Sequence, residues 1–246
     1  MKKILCILVL LAMLASLAAC KGSKPEIIEP EPEPPVEFDP DTFELYTIFT
    51  GVHENNNIRI EYPQINELLD RELQARINTI IEAWALEILQ TYDYEDTLEH
   101  INIDIEYEVT RSSDNLLSIV FRGTAFTENM PHPGHILYTV NVDTVVGVEV
   151  ALIDMIVLGD EFVQIFREHG TAARIPEAEE YIKDNDDEYL LGMFRNSDMF
   201  DDSGTFSYYT DDAVVISFYV PHVIGGYAEF EINYSDLAEI LHEWRL

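Results

Sequence analysis

The chain has 246 residues, of which 47 are acidic and only 14 are Lys or Arg, for a formal charge of −33. With 47% hydrophobic residues it can bury a sizeable core, which excludes wholesale disorder. A surface this acidic repels nucleic-acid phosphates and anionic lipid; it attracts cationic partners in a salt-dependent way, and it equally serves solubility.

The first 20 residues divide into a basic start (Lys2, Lys3), an apolar run from Ile4 to about Ala15, and the small-residue stretch Leu17-Ala18-Ala19-Cys20. An apolar run of about a dozen residues is too short for a helix that needs about 20 to cross the hydrocarbon core, so residues 1–19 read as an export signal. Leu-Ala-Ala-Cys resembles the lipobox of bacterial lipoproteins. That resemblance implies a lipidated Cys20 at a new N-terminus and a chain held on the extracytoplasmic face of the cell membrane. The other cysteine, Cys6, would leave with the signal, so no disulfide is expected in the mature chain. Residues 20–42 then form a Pro/Glu-rich linker. Proline favours extended polyproline II and like charges stiffen it, giving a semi-rigid stalk of roughly 50 Å at about 3.1 Å per residue.

Beyond the stalk, residues 43–50 and 58–62 read as short strands, the second ended by Pro63, which cannot donate to a ladder. A helix is predicted from Ile65, Leu68, Leu69, Leu73, Ile77, Ile80, Ile81, Trp84 and Ile88, which recur at three- and four-residue steps. Ile101, Ile103, Ile105, Tyr107 and Val109 alternate with polar residues, as do Leu117, Ile119 and Phe121 and, after a Pro/Gly/His-rich loop at 128–135, Tyr138, Val140 and Val142. These are half-buried antiparallel strands. Residues 160–191 are helical in pattern, with a second helix starting at Pro176. Strands return at 205–209, 214–220 and 227–232, and Ser235 is a candidate N-cap for a last helix through Trp244. Strands and helices are grouped rather than alternating, so the expected class is α+β, antiparallel sheet with helices packed on one face. An N-terminal subdomain at 43–127 and a C-terminal one at 128–246 are expected, with room to pack as one unit.

Several strings recur together in one order: Tyr62-Pro63-Gln64-Ile65, Ile77-Asn78, Ser118-Ile119-Val120-Phe121 with Gly123, His132-Pro133, Tyr138-Thr139-Val140-Asn141-Val142-Asp143, Gly147, Leu152-Ile153-Asp154-Met155, Tyr209 to Ile216, Gly225-Gly226 to Ile232, and Tyr234-Ser235-Asp236-Leu237. Over about residues 44–240 they resemble a tandem pair of extracellular domains of unknown function in Gram-positive surface proteins. That pair is shared by the lysozyme-sensing anti-sigma factor RsiV and the N-terminal region of a PdaC-type peptidoglycan deacetylase. The resemblance implies a non-catalytic extracellular recognition domain, with lysozyme or another cationic wall-active protein as the sharpest candidate ligand. The chain carries neither a cytoplasmic sigma-binding segment with a membrane span nor the deacetylase's catalytic domain, so neither output is expected.

No Gly-x-Ser-x-Gly elbow, His-Glu-x-x-His helix, phosphate-binding glycine loop or Cys-x-x-Cys pair is present, so no enzyme class starts with an advantage. His132 and His135 in one loop and His222 in another would suit zinc only if the loops met, and no metal or other cofactor is expected. Asp184, Asp186 and Glu188 imitate the start of a calcium loop, but Tyr189 and Arg195 stand where Gly and Glu belong. Aromatic residues are the remaining candidates, because Tyr anchors protein and sugar ligands. The candidate ligand-binding set is therefore His132, His135, Tyr208, Tyr209, Tyr219, His222 and Tyr227. The expected function is lipid-anchored extracytoplasmic binding or sensing of a cationic protein or peptide, or of peptidoglycan. The alternative is a cell-wall glycan-binding or glycan-processing protein acting through carboxylates that the sequence does not single out.

Overall fold

The computed structural model describes residues 45–92, 97–128, 130–172, 174–200 and 204–242. The predicted signal, Cys20 and the stalk lie outside them, as do residues 201–203 of the Asp-rich turn and 243–246 at the end of the predicted last helix. Residues from Glu44 onward form one compact unit. Its α+β class is as the grouping of elements predicts.

A six-stranded sheet runs in the spatial order β1 to β6: β1 Thr47–Asn55, β2 Ile58–Asn66, β3 Asn102–Ser112, β4 Leu116–Phe126, β5 Gly134–Asp143 and β6 Val148–Glu149. All neighbours are antiparallel except β2 and β3, which are parallel over Ile58 to Ile60. β4 and β5 pair from Leu116 opposite Asp143 to Ala125 opposite Gly134, so the sheet draws strands from both sides of residue 128. Strand β2 does not stop at Pro63. It continues to Asn66 with Pro63 opposite Thr50, beyond the stretch where β2 pairs with β3, so the missing N–H withdraws nothing from that second ladder.

Helix α1, Arg71–Thr91, starts later than its periodicity predicts. The Asp70 carboxylate accepts from the amides of Glu72 and Leu73, both at 3.0 Å, and so sets the first turn. Ile65 belongs to β2, and Leu69 stays exposed in the connection. The strand end is held from the helix: the Ile65 N–H donates to Asn78 Oδ1 at 2.8 Å, and Asn78 Nδ2 donates back to the Ile65 carbonyl at 2.9 Å. Ile77, Ile81, Ala85 and Ile88 form one buried stripe against Ile119, Phe121, Tyr138 and Val140 of the sheet. Gly123 in β4 is a close-approach position, where a Cβ would fall 2.2 Å from the Asp104 carbonyl oxygen and 2.8 Å from Ile105 Cα.

A second, three-stranded antiparallel sheet contains β7 Phe206–Tyr209, β8 Ala213–Tyr219 and β9 Tyr227–Asn233. Its helices are α2 Leu152–Met155, α3 Asp160–His169, α4 Pro176–Lys183, α5 Asp187–Arg195 and the single turn α6 Tyr234–Leu237. Pro176 opens α4 as predicted. Val214, Ile216, Phe218 and Phe230 face these helices, where Phe162, Phe166 and Phe194 pack edge-to-face at 4.8 to 5.1 Å. The predicted last helix is reduced to α6 and a turn at 238–240, after which the chain leaves the helical path, with Val157 N–H on the Ile240 carbonyl, His242 N–H on the Met155 carbonyl and a bridge between Ile156 and Leu241. Asp186, part of the apparent calcium loop, is the N-cap of α5 and accepts from the Tyr189 amide at 2.8 Å. Among the described residues no helix is long and apolar enough to cross a membrane.

Each sheet thus carries helices on one face, and the opposite faces meet each other. Val120, Tyr208 and Val215 form the apolar part of that contact. The rest is polar and buried: Ser118 Oγ accepts from Tyr209 N–H at 2.9 Å and donates to Asn141 Oδ1 at 2.6 Å, while Asn141 Nδ2 (2.9 Å) and Thr139 Oγ1 (2.6 Å) both donate to the Ser207 carbonyl. The alternation Tyr138-Thr139-Val140-Asn141 therefore serves two layers, with Tyr and Val turned to α1 and Thr and Asn to β7.

Candidate functional site

Two loops that are far apart in sequence meet at one end of the sheets. The first leads into β5 and carries His132, while His135, expected in the loop, is the second residue of β5 and pairs opposite Thr124; the second, residues 221–226, joins β8 to β9 through a 3₁₀ turn at His222–Ile224. Gly225 (φ 114°) and Gly226 (φ 86°) turn the second loop back in a conformation that side chains rarely adopt. A Cβ on Gly226 would lie 3.2 Å from His135 Cβ, so the pair also permits close approach of the loops. The His132 and His222 rings stack with centroids 3.6 Å apart at 10°; His135 lies 5.5 Å from His222 at 13°, and Tyr227 meets His135 edge-on at 6.4 Å. His222 is held below its ordinary pKa, first by desolvation and then by the two neighbouring imidazoles. Imidazole lone pairs lie in the ring plane, so rings stacked face to face do not aim at a common centre. Among the described residues no group of three or more His, Cys, Asp or Glu is placed to hold a metal ion.

Beside the stack is a cleft of about 410 Å³. Tyr92 at the end of α1, His135, Phe200, Phe206, Tyr219 and Tyr227 line it, and among the described residues no Asp, Glu, Lys or Arg does. Tyr219 in its lining and Val223 in the His222–Ile224 turn are 64% and 90% exposed.

Five of the seven predicted ligand-binding residues gather here, namely His132, His135, Tyr219, His222 and Tyr227. Tyr208 and Tyr209 do not. Tyr208 faces the larger sheet, with its hydroxyl donating to Glu229 Oε1 at 2.8 Å and its ring 5.7 Å beneath the Arg122 guanidinium. Burial, followed by Glu229, raises its pKa. Arg122 bridges Glu229 and Glu108, the latter at 2.9 Å, and Arg174 reaches Glu229 at 3.4 Å. Tyr209 is 1% exposed, and its hydroxyl is buried without a hydrogen-bond partner. The lining from Tyr92, Ile88 and Thr91 was not singled out by sequence reasoning, because helical periodicity assigns the end of α1 to core or solvent without saying that a loop 40 residues away leaves space over it.

Asp198 (φ 61°) anchors the turn that presents Phe200 to the cleft. Its carboxylate accepts from Leu152 N–H (2.7 Å), Ser207 N–H (2.5 Å), Ser207 Oγ (2.8 Å) and Ser197 Oγ (3.3 Å). Burial nonetheless pushes its pKa up to about 6, against the four donors that pull it down. Part of the residue's surface borders a separate cavity with Trp84 and Glu149, while the carboxyl itself is enclosed.

The architecture is that of an α+β domain with two face-to-face sheets and an aromatic cleft at their loop end. No family model matches the sequence, and no curated protein does. Solved structures are similar: a DUF3298 family protein from Pseudomonas aeruginosa PAO1 at 16% identity and a TM-score of 0.50, and a member of the same family from Bacteroides fragilis at 15% identity and a TM-score of 0.52. Each comparison covers 80% of this chain and 94% of the other. What is shared at that identity is the fold, one found in domains of unknown function.

Proposed function

We propose that this chain is a lipid-anchored, extracytoplasmic, non-catalytic recognition module that captures a cationic wall-active protein, lysozyme being the first candidate. The observation that carries the reading is the convergence of His132, His135, His222, Tyr219 and Tyr227 from the start of β5 and from the β8–β9 connection with its flanking strand ends, beside a preformed cleft, with Tyr219 exposed in its lining and Val223 exposed on the adjoining 3₁₀ turn. Exposed Tyr and apolar groups around a recess are what a protein partner uses as anchors. The charge of −33 supports the choice of a basic partner, since opposite fields speed encounter, and the order of motifs shared with the RsiV-like tandem domains favours the same class. Leu-Ala-Ala-Cys20 supports the anchor.

Calorimetric titration of the full chain with a C-type lysozyme, at low salt and at about 0.15 M where exposed charges are screened beyond about 8 Å, tests the reading. Saturable 1:1 binding at both salt concentrations, weakened by Val223→Asp or Tyr219→Ala, is expected. Heat that disappears at the higher salt, or binding indifferent to both substitutions, leaves only diffuse charge attraction and removes the cleft from the argument.

A further inference from the structure

A second cavity, of about 540 Å³, lies against α4 and α5 and shares Tyr219 with the cleft. Its volume is within the roughly 300–1,000 Å³ of small-molecule sites. Tyr181, Tyr189 and Tyr219 border it and are 50%, 55% and 64% exposed. None of their hydroxyls bonds to another described group. Asn185 donates its amide N–H groups to the carbonyls of Tyr181 and Ile182 at 3.1 and 2.8 Å, which fixes the side chain and leaves Oδ1 as an acceptor; the Asn196 side-chain amide bonds to no other described group.

Two further observations decide what such a cavity accepts. In a chain with 47 carboxylates, none of the described side chains lining this space carries a charge. Gly192 lines it from the interior of α5, where glycine costs helix stability, yet a Cβ there would meet nothing within 4 Å. No packing within the protein requires that glycine. What it preserves is open volume next to three tyrosine rings and two amides. Flat C–H faces seat on aromatic rings, and ring hydroxyls pair with phenol and amide groups, so the neutral lining matches a sugar chain better than an ion, a peptide terminus or an acyl chain. We propose that this cavity binds an uncharged oligosaccharide, with Tyr181, Tyr189 and Tyr219 as stacking platforms and Gly192 as the floor. The assignment rests on this cavity alone and is independent of the protein partner proposed above.

The test is calorimetric titration of the full chain with the N-acetylglucosamine tetramer and, separately, with a glucose tetramer of equal length. Saturable binding of at least one is expected, and the preferred tetramer distinguishes an acetylated wall-type glycan from a plain polysaccharide. Gly192→Leu, whose Cβ meets nothing within 4 Å and whose side chain is introduced at the floor, and Tyr189→Ala, at an exposed position, are each expected to weaken binding at least tenfold while the unfolding temperature stays near that of the parent. Absence of saturable binding of either tetramer up to about 10 mM, the weak end of specific recognition, overturns the proposal. So does parental affinity in Tyr189→Ala, or in a folded Gly192→Leu.

Discussion

Replacing Asp198 with Asn sets two opposed contributions against each other. The folded carboxyl titrates at about 6 rather than the ordinary 3.8, so the folded protein binds this proton more tightly than the unfolded chain does. Its contribution to stability is therefore complete below about 3.8 and is lost as pH rises through about 6. The separation corresponds to about 3 kcal/mol as an upper limit, since Asp198 borders a cavity that water can enter. The Asn variant does not titrate, and its NH₂ group must face either the Leu152 N–H or the Ser207 N–H, leaving one backbone donor unpaired at about 1–3 kcal/mol. A neutral carboxylic acid avoids this conflict, because its O–H can turn to a serine hydroxyl while both amides keep an acceptor. Asp198→Asn is thus expected to be less stable than the parent by about 1–3 kcal/mol near pH 4, with the gap narrowing or reversing by pH 7. Urea unfolding of both proteins at pH 4, 5, 6 and 7 measures it, and other carboxylates cancel in the difference. A gap that widens towards neutral pH would falsify the account, for it would mean that the four donors outweigh burial and that the folded pKa lies below 3.8.

Gly123→Ala is expected to destabilise by about 3 kcal/mol, because its methyl would overlap the Asp104 carbonyl and force β3 from β4; an unchanged urea midpoint refutes the close approach. The packing of the His132–His222–His135 stack is expected to persist above pH 6.5 and to loosen as pH falls through the lowered pKa of His222 and its imidazole gains charge against the two rings it faces. Proton NMR of the ring resonances reports this, and a His222 midpoint at or above 6.5 contradicts it. Cys20→Ala is expected to abolish incorporation of labelled palmitate in a bacterial host and to release the chain from membranes; continued labelling refutes lipidation at that residue.

Much of the architecture is legible because alternation and helical spacing report burial directly. Ile119, Phe121, Tyr138 and Val140 announce their strands, and the pairing of Pro176 with an acidic first turn announces α4. Two boundaries were misread for one physical reason: tertiary hydrogen bonds override local pattern. Ile65, Leu68 and Leu69 keep helical spacing, but Asn78 captures the Ile65 backbone and Asp70 starts the helix. Leu237, Ile240 and Leu241 also keep it, and the Ile240 and Leu241 N–H groups still return to the Leu237 carbonyl, but the Ile240 carbonyl is taken by Val157 N–H and the His242 N–H by the Met155 carbonyl, which ends the helix there. In the candidate site His132 and His222 are legible as loop residues and His135 is not, since it belongs to β5; the meeting of the three is not legible either, because it depends on two positive-φ glycines and a strand register. Tyr208 and Tyr209 illustrate the converse. On a strand between two packed layers both faces are buried, and alternation then carries no information about the surface.

The bonds from Ser118, Thr139 and Asn141 to the backbone of β7 also bear on how the molecule responds to force. Two aliphatic layers can shear past each other by small steps, whereas displacement here must break buried bonds whose partners have no water to turn to, at about 1–3 kcal/mol each. The sheets therefore behave as a single stiff plate. A pull applied at the loop at residues 221–226 would be borne by the whole plate and passed to its other end.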